Sequence, residues 1–512
     1  MSMYDDGRDN NTTRRQMLCG MGVIGAAAAL SPFAAGSARG QGGIPDLPDS
    51  IGTAASQLRG RQVSVTELTT ACLKRAKELQ PVLNPFITLC EAEALATAAE
   101  LDREIARGQV RGALHGIPVV YKDNFDTAGV RTTIGSEFYG KRVPQGDAEA
   151  VRRLKVAGTV MLGKANMNEF AAGVAGRNKF FGDVLNPWDT SRWPGGSSSG
   201  TGVAIASGIC LGGLGTDTGV SIRGPASWLG LVGVRPSYGR VSVRGTFPRA
   251  YTFDTVGPFG HTVEDAAILL SAIAGYDPAD RYAKPSPTED FTTDLQAGVR
   301  GLRIGVVDDF TYRNVDPDIA RAVQAAIDEL GALGAQVKPV KIPLFSGKID
   351  FRYPLTILLY EFNQILGDTF RAAADKQQFG PVVHANIAQG EKITRDAYEA
   401  AIKQRPAEIA QIRQVFKDVD AFVTPTHPFV APPLTVDAEA NPGVRQFTVP
   451  VSFTGFPAIS VPCGFDPKGL PIGLQIVAND FQERLIFRIA AAYTRATGFD
   501  RRRPPIYGTA KG

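Results

Sequence analysis

The residues best suited to chemistry crowd into WPGGSSSGTGVAIASG, from Trp193 to Gly208, which holds five glycines and four serines. Three uses compete for so many hydroxyls on so little side chain. A flexible linker would be bordered by domain ends, but this stretch runs straight into Val203-Ala204-Ile205-Ala206 and a second glycine-dense segment. A phosphate-cradling loop would place a lysine directly after its glycines. Here Gly200 is followed by Thr201, Gly202 and Val203, and the next lysine is Lys284. A nucleophile site remains. Gly196-Ser197-Ser198-Ser199-Gly200 matches the G-x-S-x-G elbow, but an elbow follows an apolar strand and Thr190-Ser191-Arg192 is polar.

A different nucleophile arrangement uses three segments together. These are GIPVVYKDNFDTAG (116–129), the serine cluster, and GLGTDTGVSIRGPASWLGLVGVRPSYGRVS (213–242). With LGKANMNEFA (162–171), NPWDTSR (186–192), DTVGPFGHTVEDAA (254–267), DAFVTPT (420–426) and FTGFPAISVPCGF followed by GLPIGLQIV (453–477), the sequence resembles the amidase signature family over nearly its whole length. Lys122 precedes Ser197 by 75 residues, and Ser197 precedes Ser221 by 24, as in that family's pattern.

The resemblance implies a Ser-Ser-Lys triad: Ser221 as nucleophile, Ser197 as bridging serine, Lys122 as base. It also implies a cis peptide bond between Gly196 and Ser197. Thr218, Gly219 and Val220 would form the oxyanion loop, with Asp217 and Arg223 holding it from behind. The chemistry is coherent on its own terms. A serine hydroxyl needs a base to take its proton, and a lysine can serve if burial lowers its pKa toward neutrality. A tetrahedral oxyanion needs preorganised N–H donors, which a loop backbone supplies. Two positions depart from the family: Val220 and Ser199 stand where glycine is usual. Valine disfavours positive φ, which raises a third reading, a catalytically silent binding protein. Ser198, Ser199 and Thr201 read as structural, His427 as packing and Cys463 as core.

The elements around these residues alternate. Ser64 to Glu67 is a capping box opening a helix with Leu68, Cys72 and Leu79 on one side. A helix over 91–107 and an apolar strand over 116–121 deliver Lys122. A helix over 147–156 leads to a strand over 159–163. Strands follow at 302–307 and 336–340 around a helix over 317–333. Strands at 458–462 and 473–477 precede a helix over 483–497. The pattern predicts an α/β fold, a large mixed sheet with helices on both faces. A single domain is expected over 45–507, with a proline-rich, less regular cover segment at about 343–450.

Composition bounds the rest. The 512 residues are 44% hydrophobic and 21% charged, with a net charge of +4. That gives no electrostatic reason for a nucleic-acid partner. Cysteines at 19, 72, 90, 210 and 463 and four histidines form no metal-ligand spacing, and no cofactor is expected. Arg14-Arg15 before a short apolar stretch, Leu18 to Leu30, with small residues near Ala34 to Ala38, resembles a twin-arginine export signal over residues 1–40. The first expectation is therefore an exported, periplasmic amidase. It would cleave a small-molecule, non-peptide carboxamide through a Ser221 acyl-enzyme, giving a carboxylic acid and ammonia or an amine. It would have no nucleic-acid or stable membrane partner, and a homodimer is left open. The alternative is the glutaminase-type subunit of a tRNA-dependent amidotransferase, which shares fold and triad but works in the cytoplasm with partner chains. Substrate identity is not legible.

Overall fold

The computed structural model describes residues 47–307, 310–346 and 352–507. The expected export segment lies outside them. Eleven strands join in one mixed sheet: β1 Phe86–Leu89, β2 Pro118–Lys122, β3 Val160–Ala165, β4 Gly212–Thr216, β5 Val232–Arg235, β6 Val256–Gly260, β7 Arg303–Val307, β8 Gln336–Val340, β9 Ala421–Pro425, β10 Ala458–Phe465 and β11 Pro471–Ala478. The spatial order is β1-β3-β2-β4-β6-β5-β10-β11-β9-β7-β8. β2 runs parallel to β3 and β4, and β7 runs parallel to β8 and β9. The remaining pairs are antiparallel.

Helices pack on both faces of the sheet. Every residue of β2, β4, β6 and β11 is buried, which is why β2 and β11 read as apolar runs rather than alternating ones. Glu483–Thr497 packs on β10 and β11, and Val263–Ile273 packs on β6. The capping box predicted at Ser64 is formed in both directions, starting the helix Val65–Leu83. Within 343–450, helices Arg352–Ala372, Pro381–Gly390 and Arg395–Val415 precede β9. Among the described residues no helix is long and apolar enough to cross a membrane.

The parallel pairing of β2 with β4 sets up the site. Tyr121 lies opposite Leu214, so Lys122 and Thr216, the last residues of the two strands, emerge at the same end of the sheet. In open α/β sheets the carboxyl ends of parallel strands are where ligands bind. β4 is rich in glycine for a local reason. A Cβ on Gly215 would stand 2.7 Å from Ser198 Oγ, so a bare backbone is what lets the serine cluster lie against the strand.

Candidate active site

Lys122 is fully buried, and its ammonium nitrogen has hydroxyl partners only. Nζ donates to Ser197 Oγ at 2.7 Å and to Thr216 Oγ1 at 2.8 Å. Burial pushes its pKa down to about 7, against the opposing pull of Asp254 and Asp217. The neighbouring strand carries a contrasting lysine. Lys164, also buried, stands 3.4 Å from the Asp123 carboxylate, whereas no carboxylate pairs with Lys122 among the described residues.

Ser197 precedes the helix Ser199–Ala206, and the Gly196–Ser197 peptide bond is cis. Gly196 is required by crowding, because a Cβ there would lie 2.2 Å from Asn168 Oδ1. The neighbouring serines are structural. Ser198 Oγ accepts from the Thr216 N–H at 3.4 Å and donates to the Thr216 carbonyl at 3.3 Å. Ser199 Oγ is buried without a partner, and Thr201 Oγ1 donates to the Leu214 carbonyl.

Ser221 follows β4 on the loop 217–222 and lines a cavity of about 420 Å³ together with Thr218, Gly219 and Val220. No hydrogen bond joins Ser197 to Ser221 among the described residues. The N–H groups of Thr218, Gly219, Val220 and Ser221 donate to no protein acceptor among them either. Val220 is outside the left-handed region of backbone space, so the strain its β-branch threatened does not arise.

The loop is held from behind by buried charge. Arg223 Nε lies 3.0 Å from Asp217 Oδ2, with both side chains shielded from solvent, and Arg235 approaches the same carboxylate at 3.6 Å. Burial opposes ionisation of Asp217, but the two guanidiniums hold its pKa below the ordinary value. Arg223 also donates to Gln475 Oε1 and the Gly219 carbonyl. From the other side, Thr218 Oγ1 donates to Asp254 Oδ1 at 2.6 Å. His427 stacks on Trp228 with centroids 4.4 Å apart, and burial drives its pKa down to about 3. It is a neutral packing residue. Cys463 is buried in β10. Among the described residues, no group of three or more His, Cys, Asp or Glu could hold a metal ion.

Sequence reasoning missed Thr216, Arg235 and Asp254. Each acts through a partner that only the fold brings near: Thr216 through the β2–β4 register, Arg235 and Asp254 through the strands flanking the loop.

The amidase family model matches residues 67–487. The chain belongs to the amidase family. Among curated relatives of this amidase, the A-type subunit of the glutamyl-tRNA(Gln) amidotransferase of Thermosynechococcus vestitus is 38% identical over 473 residues, covering 88% of this chain and 98% of that one. Among solved structures, the native peptide amidase from Stenotrophomonas maltophilia superposes with a TM-score of 0.81 at 32% identity, covering 91% of this chain and 100% of that one. A chain from a vestigial protein complex, described for the origins of an s-triazine catabolic enzyme, reaches a TM-score of 0.83 at 32% identity, over 88% of this amidase and 98% of that chain.

These relatives correct two expectations. The first placed a self-sufficient carboxamide hydrolase ahead of an amidotransferase component, whereas curated relatives spanning nearly the whole chain carry the name of an amidotransferase subunit. The second limited the partners to a small molecule and excluded nucleic acid, whereas that name is of one subunit of an assembly linked to tRNA. The physical reason is common to both. The triad motifs encode acyl transfer, which a hydrolase and an amidotransferase component share. A small net charge speaks only for this chain's own surface, not for an assembly.

Proposed function

We propose that this amidase is the A-type component of an amidotransferase, releasing ammonia from a primary carboxamide for use on a tRNA-linked acyl group held by partner chains. The observation that carries the chemistry is the buried Lys122–Ser197 hydrogen bond beside a loop of unengaged N–H groups. The curated relatives support the assembly. In the reaction proposed, neutral Lys122 takes the proton of Ser197 Oγ as Ser197 takes that of Ser221 Oγ. The freed Ser221 oxygen attacks the amide carbon, and the loop N–H groups receive the oxyanion. Collapse breaks the C–N bond, the proton returns along the same path to the nitrogen, and ammonia leaves. Water then attacks the acyl-enzyme, releasing the carboxylic acid and restoring Ser221.

The Arg14-Arg15 segment pulls the other way, because an exported chain would be separated from tRNA. One experiment weighs both. The tagged full chain is recovered from fractionated cells, its co-purifying chains are identified, and amide-dependent conversion of glutamyl-tRNA(Gln) is measured. Cytoplasmic recovery with partner chains and tRNA-dependent turnover is the expected result. A solitary periplasmic chain without tRNA-dependent turnover would overturn the assembly and establish the export signal instead.

A further inference from the structure

The cavity beside Ser221 contains a guanidinium without a hydrogen-bond or ion-pair partner among the described residues; the carboxylate that acts on it, Asp254, is engaged by the Arg249 and Ala250 N–H groups and Thr218 Oγ1. Arg249, on the loop between β5 and β6, is 6% exposed and lines the cavity. Its Nη1 is buried without a hydrogen-bond partner. Among the described residues its guanidinium makes no hydrogen bond and no ion pair. It rests on the face of Phe362, with the guanidinium carbon 3.8 Å from the ring centroid. A buried, unpaired guanidinium is costly to keep unless something supplies the missing acceptor.

The other charged groups of the lining do not supply it. Glu439 lies 3.7 Å from Arg445, and its carboxylate also accepts from the N–H groups of Val174 at 2.7 Å and Ala175 at 3.1 Å. Arg445 in turn donates to the Glu439 carbonyl. That pair is self-contained, so Arg249 leaves the lining with one positive charge in excess. Burial pushes its pKa down to about 9, opposed by Asp254 and reinforced by Arg445, which still leaves it charged at neutral pH.

The placement is tied to the reacting loop. The Arg249 N–H donates to Asp254 Oδ2 at 2.7 Å, while Oδ1 of the same carboxylate receives Thr218 Oγ1. One buried side chain therefore fixes both the backbone that carries the guanidinium and the loop that carries Ser221. Elsewhere the lining is largely apolar, with Phe253, Leu358, Val449 and Phe453 among its residues. A ligand matching this cavity has an apolar middle and one anionic end.

We propose that Arg249 is a specificity-determining residue, receiving a carboxylate carried on the acyl part of the amide donor. The inference rests on the reading of Ser221 as the acylated residue. If ammonia is the leaving group, the leaving side has no substituent, so the anion must sit on the acyl side. A guanidinium suits it because its planar N–H fork matches a carboxylate in bidentate fashion.

The test uses the full chain and two pairs matched in shape, succinamate with 4-methylpentanamide and glutaramate with 5-methylhexanamide. Ammonia release gives kcat/KM for each. The wild type should prefer a carboxylate-bearing amide over its neutral partner by at least about 30-fold, the scale of losing one member of a buried, hydrogen-bonded charge pair. Arg249→Leu should collapse that ratio, and Arg249→Lys should retain part of it. An equal ratio in wild type and Arg249→Leu overturns the proposal and assigns Arg249 to packing on Phe362. Calorimetric binding of succinamate and glutaramate to Ser221→Ala, with and without Arg249→Leu, gives a readout independent of turnover. If no amide is hydrolysed yet Arg249→Leu weakens that binding by a similar factor, the acyl-transfer reading falls and the carboxylate site stands. If binding is equal in the two variants, the site falls.

Discussion

Lys122 Nζ lies 2.7 Å from Ser197 Oγ, and both side chains are fully buried. Two hydroxyls and no carboxylate meet the amine, so its environment stabilises the charged form only weakly. Its pKa, lowered by burial to about 7, puts the neutral amine within reach of ordinary pH. Activity should therefore rise as pH passes through about 7 and level off above it. Lys122→Met should lower kcat by on the order of 10⁴-fold and remove that acid limb. A pH–rate profile of both proteins checks this, and a retained limb in Lys122→Met would assign it to another group.

The same burial has a sign in stability. Between about 7 and 10.5 the unfolded chain holds a proton on Lys122 that the folded chain does not. Folding is therefore favoured as pH rises across that window, and the penalty is complete below it, on the order of 5 kcal/mol. Lys122→Met should unfold at a higher temperature than the wild type near pH 6.5, and the gap should narrow toward pH 10. Thermal melts at both pH values decide it. A gap that is constant with pH would mean that Lys122 is not neutralised by folding.

What the sequence made legible was whatever has a strong period or a side-chain signature. The helix opened by the Ser64 capping box emerged as Val65–Leu83, and the helix expected over 317–333 as Pro317–Ala332. Lys122 and Ser197, singled out by motif, meet at 2.7 Å, and Ser221 lines the cavity of about 420 Å³. Hidden from it was β4 itself, whose Gly212-Gly213-Leu214-Gly215-Thr216 has weak strand propensity and no alternation. Without β4 the β2–β4 register cannot be drawn, and without that register Thr216 cannot be seen as a partner of Lys122. Arg249 was hidden differently. An arginine in a loop reads as solvated, and only the packing of Phe362 from a helix more than a hundred residues away buries it. The amidotransferase reading was legible as an alternative but was ranked second, because partner chains leave no mark on the triad motifs.

The Asp217–Arg223 pair should matter more to the loop than to the chemistry. Asp217→Asn leaves two buried guanidiniums, Arg223 and Arg235, without their anion. Breaking one side of such a pair typically costs about 3–5 kcal/mol. A matching fall in denaturation midpoint is expected, with kcat reduced because Gly219 and Val220 lose their backing. Unchanged stability would show that Gln475 and Ser452, which also meet Arg223, suffice to hold it.

Val220 and Gly224 form a matched pair one helical turn apart. A Cβ on Gly224 would stand 2.6 Å from Val220 Cγ2 and 2.9 Å from His427 Nε2, closer than real contacts allow. Gly224→Ala should therefore destabilise the protein by about 1–3 kcal/mol, the scale of an overpacked core. Val220→Ala alone should also destabilise it, by removing buried methyl groups from the cluster around Trp193 and Trp228. Combined, the two substitutions should cost less than the sum of their separate effects, because the shorter side chain at 220 makes room for the added methyl. The His427 contact keeps the rescue partial. Denaturant melts of the wild type, both single variants and the double variant form the cycle that measures this coupling. The same four proteins report on function, since Val220 lines the cavity beside Ser221. Shortening it should shift kcat/KM toward bulkier acyl groups, by roughly 10–200-fold for a methylene's worth of space. Strict additivity in the melts together with a fixed acyl preference would mean that Val220 neither packs against Gly224 nor shapes the cavity.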